Sequence, residues 1–326
     1  MGIRIKRVKN KGNRMKDKNT IGNLLTFLTM VIWATTYIST KVLLENLEPI
    51  EILFYRFLLA YFVLIVIHPK FKKLHKFREE LLFISAGITG VTLYYMIENI
   101  ALKYTLASNV GLFISVAPIL TAILSNFFIE HGGLTKKLVL GFFVAMIGIF
   151  LVLFNGNFVL KLNPMGDLLA IFAAFVWAVY SVILKKINNK YHYNNIYITR
   201  KIFFYGVLFM IPIILCFKID LQVTKLIIPT VLFNILFLSL IASALCFVMW
   251  NVGVNYIGAI KASNYIYIVP FITAITSVIV LGEKLTLIVL LGGGFILAGL
   301  YISQNGLKNP LNCLTIKKRR DLSENN

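Results

Sequence analysis

The chain has 326 residues, 59% hydrophobic and only 14% charged, against about 45–50% and about 25% in soluble chains. A soluble globule is excluded, and the length suffices for about ten membrane spans of about 20 residues with short links. The net charge of +20 would suit nucleic acid if it were clustered, but it is parcelled among loops, so no nucleic-acid partner is expected.

In chain order, a basic head, residues 1–20, leads into ten apolar runs at about 22–44, 50–68, 81–102, 107–129, 138–154, 166–184, 196–217, 229–253, 260–281 and 287–303. A polar, basic tail follows from 304 to 326. The head and first run resemble a secretory signal, yet the run from Gly22 to Leu44 is longer than the usual stretch of about 7–15 residues. A retained first span is expected.

Strict alternation assigns each loop to a side. The side holding the N-terminus carries 23 of the 33 Lys and Arg, in the head, the stretch from Lys70 to Arg78, Lys136 with Lys137, the stretch from Lys185 to Lys190, and the tail. The opposite side carries five, Lys103, Lys161, Lys218, Lys225 and Lys284, while Lys41, Arg56, Arg200, Lys201 and Lys261 lie within or at the ends of spans. That asymmetry predicts a multi-pass protein of the cell membrane with both termini cytoplasmic. Cys216 and Cys246 sit inside apolar runs and Cys313 in the tail, and His68, His75, His131 and His192 fall at span ends or in links. Neither set has the spacing of a disulfide framework or a metal site, so no metal and no cofactor is expected.

The chain repeats itself. Gly22-Asn23-Leu24-Leu25, Trp33, Lys41 and Arg56 recur 144 residues on as Gly166-Asp167-Leu168-Leu169, Trp177, Lys185 and Arg200. Asn99, Tyr104, Ala107, Pro118, Thr121 and Ser125 recur 152 residues on as Asn251, Tyr256, Ala259, Pro270, Thr273 and Ser277, and Gly141 and Gly148 recur as Gly292 and Gly299 at an offset of 151. Five spans per repeat is an odd number, so the second half enters the membrane from the other side. The expected fold is all-α and polytopic, ten transmembrane helices in two inverted five-helix repeats, residues 21–154 and 166–303, joined by an external linker, 155–165. Such halves can exchange conformations about a midplane site.

At helical spacing, polar residues form stripes: Trp33, Thr36, Tyr37, Thr40 and Lys41 in the first span, Trp177, Tyr180, Ser181 and Lys185 in the sixth, and Ser85, Thr89, Thr92, Tyr95 and Asn99 in the third. The fourth and ninth carry Gly111, Ser115, Pro118, Thr121 and Ser125 against Ser263, Tyr267, Pro270, Thr273 and Ser277, and the eighth Ser239, Ser243 and Cys246. Lipid cannot satisfy hydroxyls, so these faces are expected to line a central passage or to bond helix to helix. Candidate binding residues are Trp33, Tyr37, Tyr95, Glu98, Asn99, Ser115, Trp177, Tyr180, Asn251 and Tyr267. Pro118 and Pro270 are candidate gating bends that free the carbonyls of Ile114 and Ile266. The glycines of spans five and ten permit close helix approach, within one chain or between two, so the state is monomer or homodimer.

Of the thirteen acids, Glu98 is read as the one well inside a span, in the outer half beside Arg56. Two roles compete for it: coupling, by exchanging a proton for solute, or a structural ion pair with Arg56. Its mate in the second repeat is Trp250, which makes the centre electrostatically asymmetric.

The segment from Trp33 to Lys41, Pro49 with Arg56, Glu98-Asn99 through Ala101-Leu102-Lys103-Tyr104, Pro118, and Pro270 with Leu281-Gly282-Glu283-Lys284-Leu285-Thr286 resemble the EamA families of the drug/metabolite transporter superfamily over about residues 20–303. The resemblance implies ten helices and a cavity lined by spans one, three, four, six, eight and nine. The first repeat departs from the Gly-Glu ending, since Glu130 follows Ile129, and the first span lacks the glutamate of the related four-helix exporters, so their coupling does not carry over. The expected function is secondary transport, outward and by alternating access, of a small polar or amphiphilic metabolite such as an amino acid or drug-like solute. The partners are that solute and the lipid bilayer. A passive channel or lipid flippase is the alternative, and an intramembrane enzyme would need converging acids that the short loops lack.

Overall fold

The computed structural model describes residues 2–70, 77–105, 107–129, 134–154, 163–281 and 286–306. Glu130, His131, Lys161, Glu283, Lys284 and most of the linker and tail lie outside that set. Ten helical segments follow in order: α1 (Gly2–Leu44), α2 (Pro49–Ile67), α3 (Phe77–Tyr104), α4 (residues 107–128), α5 (Lys136–Phe154), α6 (Pro164–Lys190), α7 (Asn195–Cys216), α8 (Pro229–Ile257), α9 (residues 259–281) and α10 (Leu287–Asn305). Nine helices among the described residues are long and apolar enough to cross a membrane, and the interrupted α9 is the tenth. The basic head is no loose tail: the backbone is helical from Gly2 into the first span, as its Lys- and Arg-rich composition favours.

Local chemistry fixes the ends. Pro49 opens α2, where the Glu51 carboxylate accepts the Glu48 N–H at 2.8 Å. Asn163 and Asn194 cap α6 and α7 through their side-chain oxygens, and Thr286 caps α10. Gly258, at φ 87, makes the tight turn from α8 to α9, a left-handed geometry that costs glycine little. The outward faces of α5, α7 and α10, including Phe143, Ile147, Leu208, Leu215, Leu291 and Leu297, are exposed and apolar, as a surface against lipid requires.

The packing carries the repeat. A Cβ on Gly141 would lie 2.6 Å from the Gly299 carbonyl oxygen, and one on Gly148 would lie 2.5 Å from that of Gly292, so α5 and α10 run antiparallel, backbone to backbone. Each glycine therefore touches the mate of the other, and the seam lies within one chain. Gly22 packs on Tyr256 and Ile257, while its mate Gly166 packs on Tyr104 and Thr105. The first of these contacts sets the end of α8 beside the amino-terminal end of the first span's apolar run. The ends of α2, α4, α6, α8 and α10 thus share the face from which α1 enters, the amino-terminal face.

Regularity breaks in pairs too. α3 is π-helical over Ile88–Leu93 and α8 over Phe237–Leu245, segments that overlap at the 152-residue offset. α4 is interrupted at Ser115 and Val116, and α9 tightens to a 3₁₀ turn over Tyr265–Ile268, each just before its proline. Regular helix thus stops just before Pro118 and Pro270, and the Ile266 carbonyl is not left free, because it accepts the Val269 N–H.

Candidate functional site

The core of the bundle is aromatic. Trp33 of α1 and Trp177 of α6 meet edge to face with ring centroids 5.3 Å apart, and Trp250 of α8 lies 5.7 and 5.4 Å from them. Phe247 is 5.5 Å from Trp33, 5.0 Å from Phe203 and 5.7 Å from Phe57. Tyr94 stacks 4.7 Å from both Trp177 and Tyr95. Edge-to-face pairs of this kind add about 0.5–1.5 kcal/mol each beyond area burial, which locks the rings.

Against these rings lies a central cavity of about 30 Å³, lined by Met30, Trp33, Thr36, Tyr37, Tyr94, Tyr95, Ile114, Trp177, Ile266 and Val269. It has room for about one or two waters, so this conformation is closed around its centre. Ile114 and Ile266 come from beside the interruption of α4 and from the 3₁₀ turn of α9. The Trp33 indole N–H donates to the Ala242 carbonyl at 2.8 Å, whereas that of Trp177 has no protein partner.

Glu98 sits one helical turn beyond Tyr94 and is 7% exposed. It accepts the Tyr94 hydroxyl at 2.9 Å, with Tyr37 and Arg56 as the other groups that act on it. Arg56, 2% exposed, does not pair with Glu98: its Nε donates to the Ser243 hydroxyl at 2.6 Å and its guanidinium lies 4.5 Å from the centre of the Tyr95 ring. The two salt bridges among the described residues are Lys103–Glu48 and Lys201–Glu80, each at 2.5 Å. Tyr94 and Tyr95 thus stand between acid and base, and the direct pair considered from sequence is not formed. Nor is Glu98 alone in being buried, since Glu51, Glu79, Glu80 and Asp167 are buried as well.

Of the ten candidate binding residues, Trp33, Tyr37, Tyr95 and Trp177 line the cavity. Glu98 is held one bond behind Tyr94, and Tyr180 backs Trp177 at 5.0 Å. The other four lie elsewhere. Asn99 donates to the Pro49 carbonyl at 3.5 Å, and Asn251 bonds Asn188 at 2.9 Å and the Asn195 carbonyl at 3.2 Å, so these mates tie α3 to the start of α2 and α8 to the start of α7. Ser115 bonds back to the Gly111 carbonyl at 2.7 Å, and Tyr267 packs near Phe142 beside the α5–α10 seam. Several other stripe hydroxyls do the same as Ser115: Thr36, Ser85, Thr89, Ser181 and Ser239 return to carbonyls three or four residues earlier. Others bond between helices: Thr92 to the Gly206 carbonyl at 2.9 Å, Ser263 to Thr121 at 3.3 Å and Thr273 to the Ala34 carbonyl at 3.2 Å.

The cavity residues missed by sequence are Met30, Tyr94 and Val269, while Ile114 and Ile266 had been named only for their carbonyls. Tyr94 was hidden by the π-turn before it, whose extra residue rotates a face extrapolated at 3.6 residues per turn.

Each mouth of the bundle holds a further cavity. At the amino-terminal face one of about 320 Å³ is lined in part by Lys137, Lys185, Lys261, Ser125 and Asn264. At the opposite face one of about 390 Å³ is lined in part by Glu45, Glu48, Glu51, Asp220 and Lys225. Along α4 Thr121 lies between Ile114 and Ser125, and along α9 Ser263 lies between Lys261 and Ile266. Thr121 and Ser263, bonded at 3.3 Å, thus lie along their helices between residues that line the two cavities.

The EamA-like transporter family profile matches residues 20–154 and again 164–304. An uncharacterized transporter of Archaeoglobus fulgidus is 32% identical over 289 residues, covering 87% of this chain and 98% of that protein. A Salmonella typhimurium protein named "probable amino-acid metabolite efflux pump" is 23% identical, covering 87% of this chain and 95% of its own. A solved crystal structure of a protein, 17% identical, superposes with a TM-score of 0.69 over 87% of this chain and 98% of that one, which shows a common fold. Two matched copies over most of the length place this chain in the EamA-like transporter family, as a multi-pass membrane transporter and not an enzyme.

Proposed function

We propose that the protein is an exporter of a small polar or amphiphilic metabolite, an amino acid or a similar solute, working by alternating access and coupled to protons through Glu98. It sits in the cell membrane with both termini cytoplasmic, as the distribution of Lys and Arg favours. Each chain is its own working unit, because the glycine seam that could have paired two chains is used internally. The repeats, residues 21–154 and 166–303, are the two moving bodies.

The observation that carries this reading is the closed central cavity, walled by Trp33, Tyr95 and Trp177 and hinged on the interrupted turns of α4 and α9. Aromatic walls suit a solute with an apolar part, the unpartnered Trp177 N–H suits an acceptor on it, and Glu98 stands behind the wall to exchange a proton. A repeated, inverted architecture around a small central cavity favours a carrier over a passive channel. Export rather than uptake follows the Salmonella relative's printed name.

The test is counterflow of amino acids in proteoliposomes. Tyr95→Ala and Trp177→Ala are expected to abolish saturable exchange, while Tyr267→Ala, whose ring packs by Phe142 beside the α5–α10 seam and does not line the cavity, keeps the wild-type KM. Glu98→Gln is expected to lose uphill transport driven by a proton gradient and to retain solute exchange. Loss of both, with the protein still folded, overturns the coupling role, and non-saturating flux overturns the carrier.

A further inference from the structure

Arg56 is buried inside the bundle, and its donors are only partly used. Its Nε bonds the Ser243 hydroxyl on the π-helical stretch of α8, and the centres of the Tyr95 and Phe57 rings lie 4.5 and 5.2 Å from the guanidinium carbon. Its Nη2 has no partner. Among the described residues no carboxylate pairs with it: Glu98, which acts on it through space, is bonded to Tyr94. Its mate in the repeat is employed differently, since Arg200 donates to the backbone carbonyls of His68 and Lys70. A guanidinium nitrogen left unbonded away from water is costly, and charged groups inside spans mark the paths of solutes and ions.

We propose that Arg56 binds the carboxylate of the solute, with Tyr95 as the ring that covers it in the closed state. Tyr95 lines the central cavity and lies against the guanidinium. This one side chain therefore stands between donor and cavity, and its displacement as the cavity opens hands Nη2 to the solute. A carboxylate matches a guanidinium in charge and in planar shape, whereas a carboxamide offers one oxygen and no charge. What calls for the ligand is the unfilled donor and not the net charge of the centre, to which Glu98 contributes. This deepens the exporter reading and rests on it: the solutes narrow to those that carry a carboxylate, and their apolar part is left to Trp33 and Trp177, which line the same cavity.

The chain's three tryptophans, Trp33, Trp177 and Trp250, all belong to the central cluster, so intrinsic emission of the protein in nanodiscs reads binding without requiring transport. Each common L-amino acid is titrated, and each that shifts the emission is compared with its α-carboxamide. The acid is expected to bind at least about tenfold more tightly than the amide, as a hydrogen bond between charged groups is worth. Arg56→Gln is expected to erase that preference, Arg56→Lys to keep part of it because the charge stays, and Glu98→Gln to leave it in place. A purely structural role would weaken acid and amide alike. Equal affinities for acid and amide in the wild-type protein overturn the proposal whether or not the variants fold, and so does a preference that survives Arg56→Gln. Tighter binding of the phosphonate analogue overturns the assignment to carboxylates. Counterflow without an acid preference would leave the exporter standing and remove Arg56 from its site. Acid preference without counterflow would sink the exporter instead, and silence from every amino acid would overturn both.

Discussion

Gly22 of the first half packs on Tyr256 of the second, and Gly166, its mate, packs on Tyr104, the mate of Tyr256. The same exchange joins Gly141 to Gly299 and Gly148 to Gly292, and Asn99 and Asn251 each hold the start of a neighbouring helix. At the centre the symmetry fails: Tyr94, Tyr95 and Glu98 of α3 correspond to Cys246, Phe247 and Trp250 of α8. One half offers hydroxyls and a carboxylate where the other offers sulfur and apolar rings. The halves thus share the contacts that let them swap conformations and differ where a solute must be recognised and a proton handled, so exchange and chemistry can vary independently.

The seam is where that comparison can be broken most severely. A side chain at Gly148 would press on the Gly292 carbonyl, and one at Gly292 on the Gly148 carbonyl at 2.7 Å, with backbone on both sides unable to yield. Gly148→Leu and Gly292→Leu should each destabilise by about 3 kcal/mol or more, the upper range for overpacking. Thermal unfolding in detergent should register equal losses, and a large loss at one with tolerance of the other would show that the seam is not shared evenly.

The paired arginines sharpen the contrast at smaller cost. Arg200 donates to the carbonyls of His68 and Lys70 at the end of α2, a scaffold role. Arg56 bonds Ser243 and lies over Tyr95, a cavity-wall residue. Arg200→Leu should lower stability by about 1.5–3 kcal/mol, the range for bonds to charged groups, and leave the KM of the surviving protein unchanged. Arg56→Leu should cost transport most, with maximal velocity falling at least about tenfold through displacement of Tyr95, as misplacement near a site by about 1 Å can cost about 10²-fold. An equally small change in maximal velocity in the two variants would make Arg56 a scaffold residue as well.

Hydropathy and the offsets of 144, 151 and 152 residues made the spans and the repeat legible in sequence, because burial in lipid and close backbone approach both constrain residue type. Trp33, Tyr37, Tyr95 and Trp177 were legible because large aromatics on an internal face have few places to go. Asn99 and Asn251 lie off the cavity and bond at helix starts, and in sequence an amide that ties a helix start looks like an amide that meets a solute. The hydroxyl stripes misled more broadly: Ser115 and Ser181 satisfy themselves on their own helix backbone, which spacing cannot reveal. The π-turns of α3 and α8 carry no composition signal, and with them went Tyr94, the residue that holds Glu98.

The finest test lies in the two tryptophans that the repeat makes equivalent. Trp33 spends its indole N–H on the Ala242 carbonyl at the π-helical stretch of α8, whereas Trp177 packs as tightly and keeps its N–H unpartnered. Phenylalanine at either place retains most of the ring contact, so the difference isolates one hydrogen bond. Trp33→Phe should lose about 1 kcal/mol of stability, the net worth of such a bond, with the KM little altered. Trp177→Phe should melt closer to wild type and raise the KM, because the donor it removes serves the solute and not the scaffold. If the melting losses were reversed, the α8 contact would not be what holds Trp33, and the division of labour between the halves would have to be redrawn at its centre.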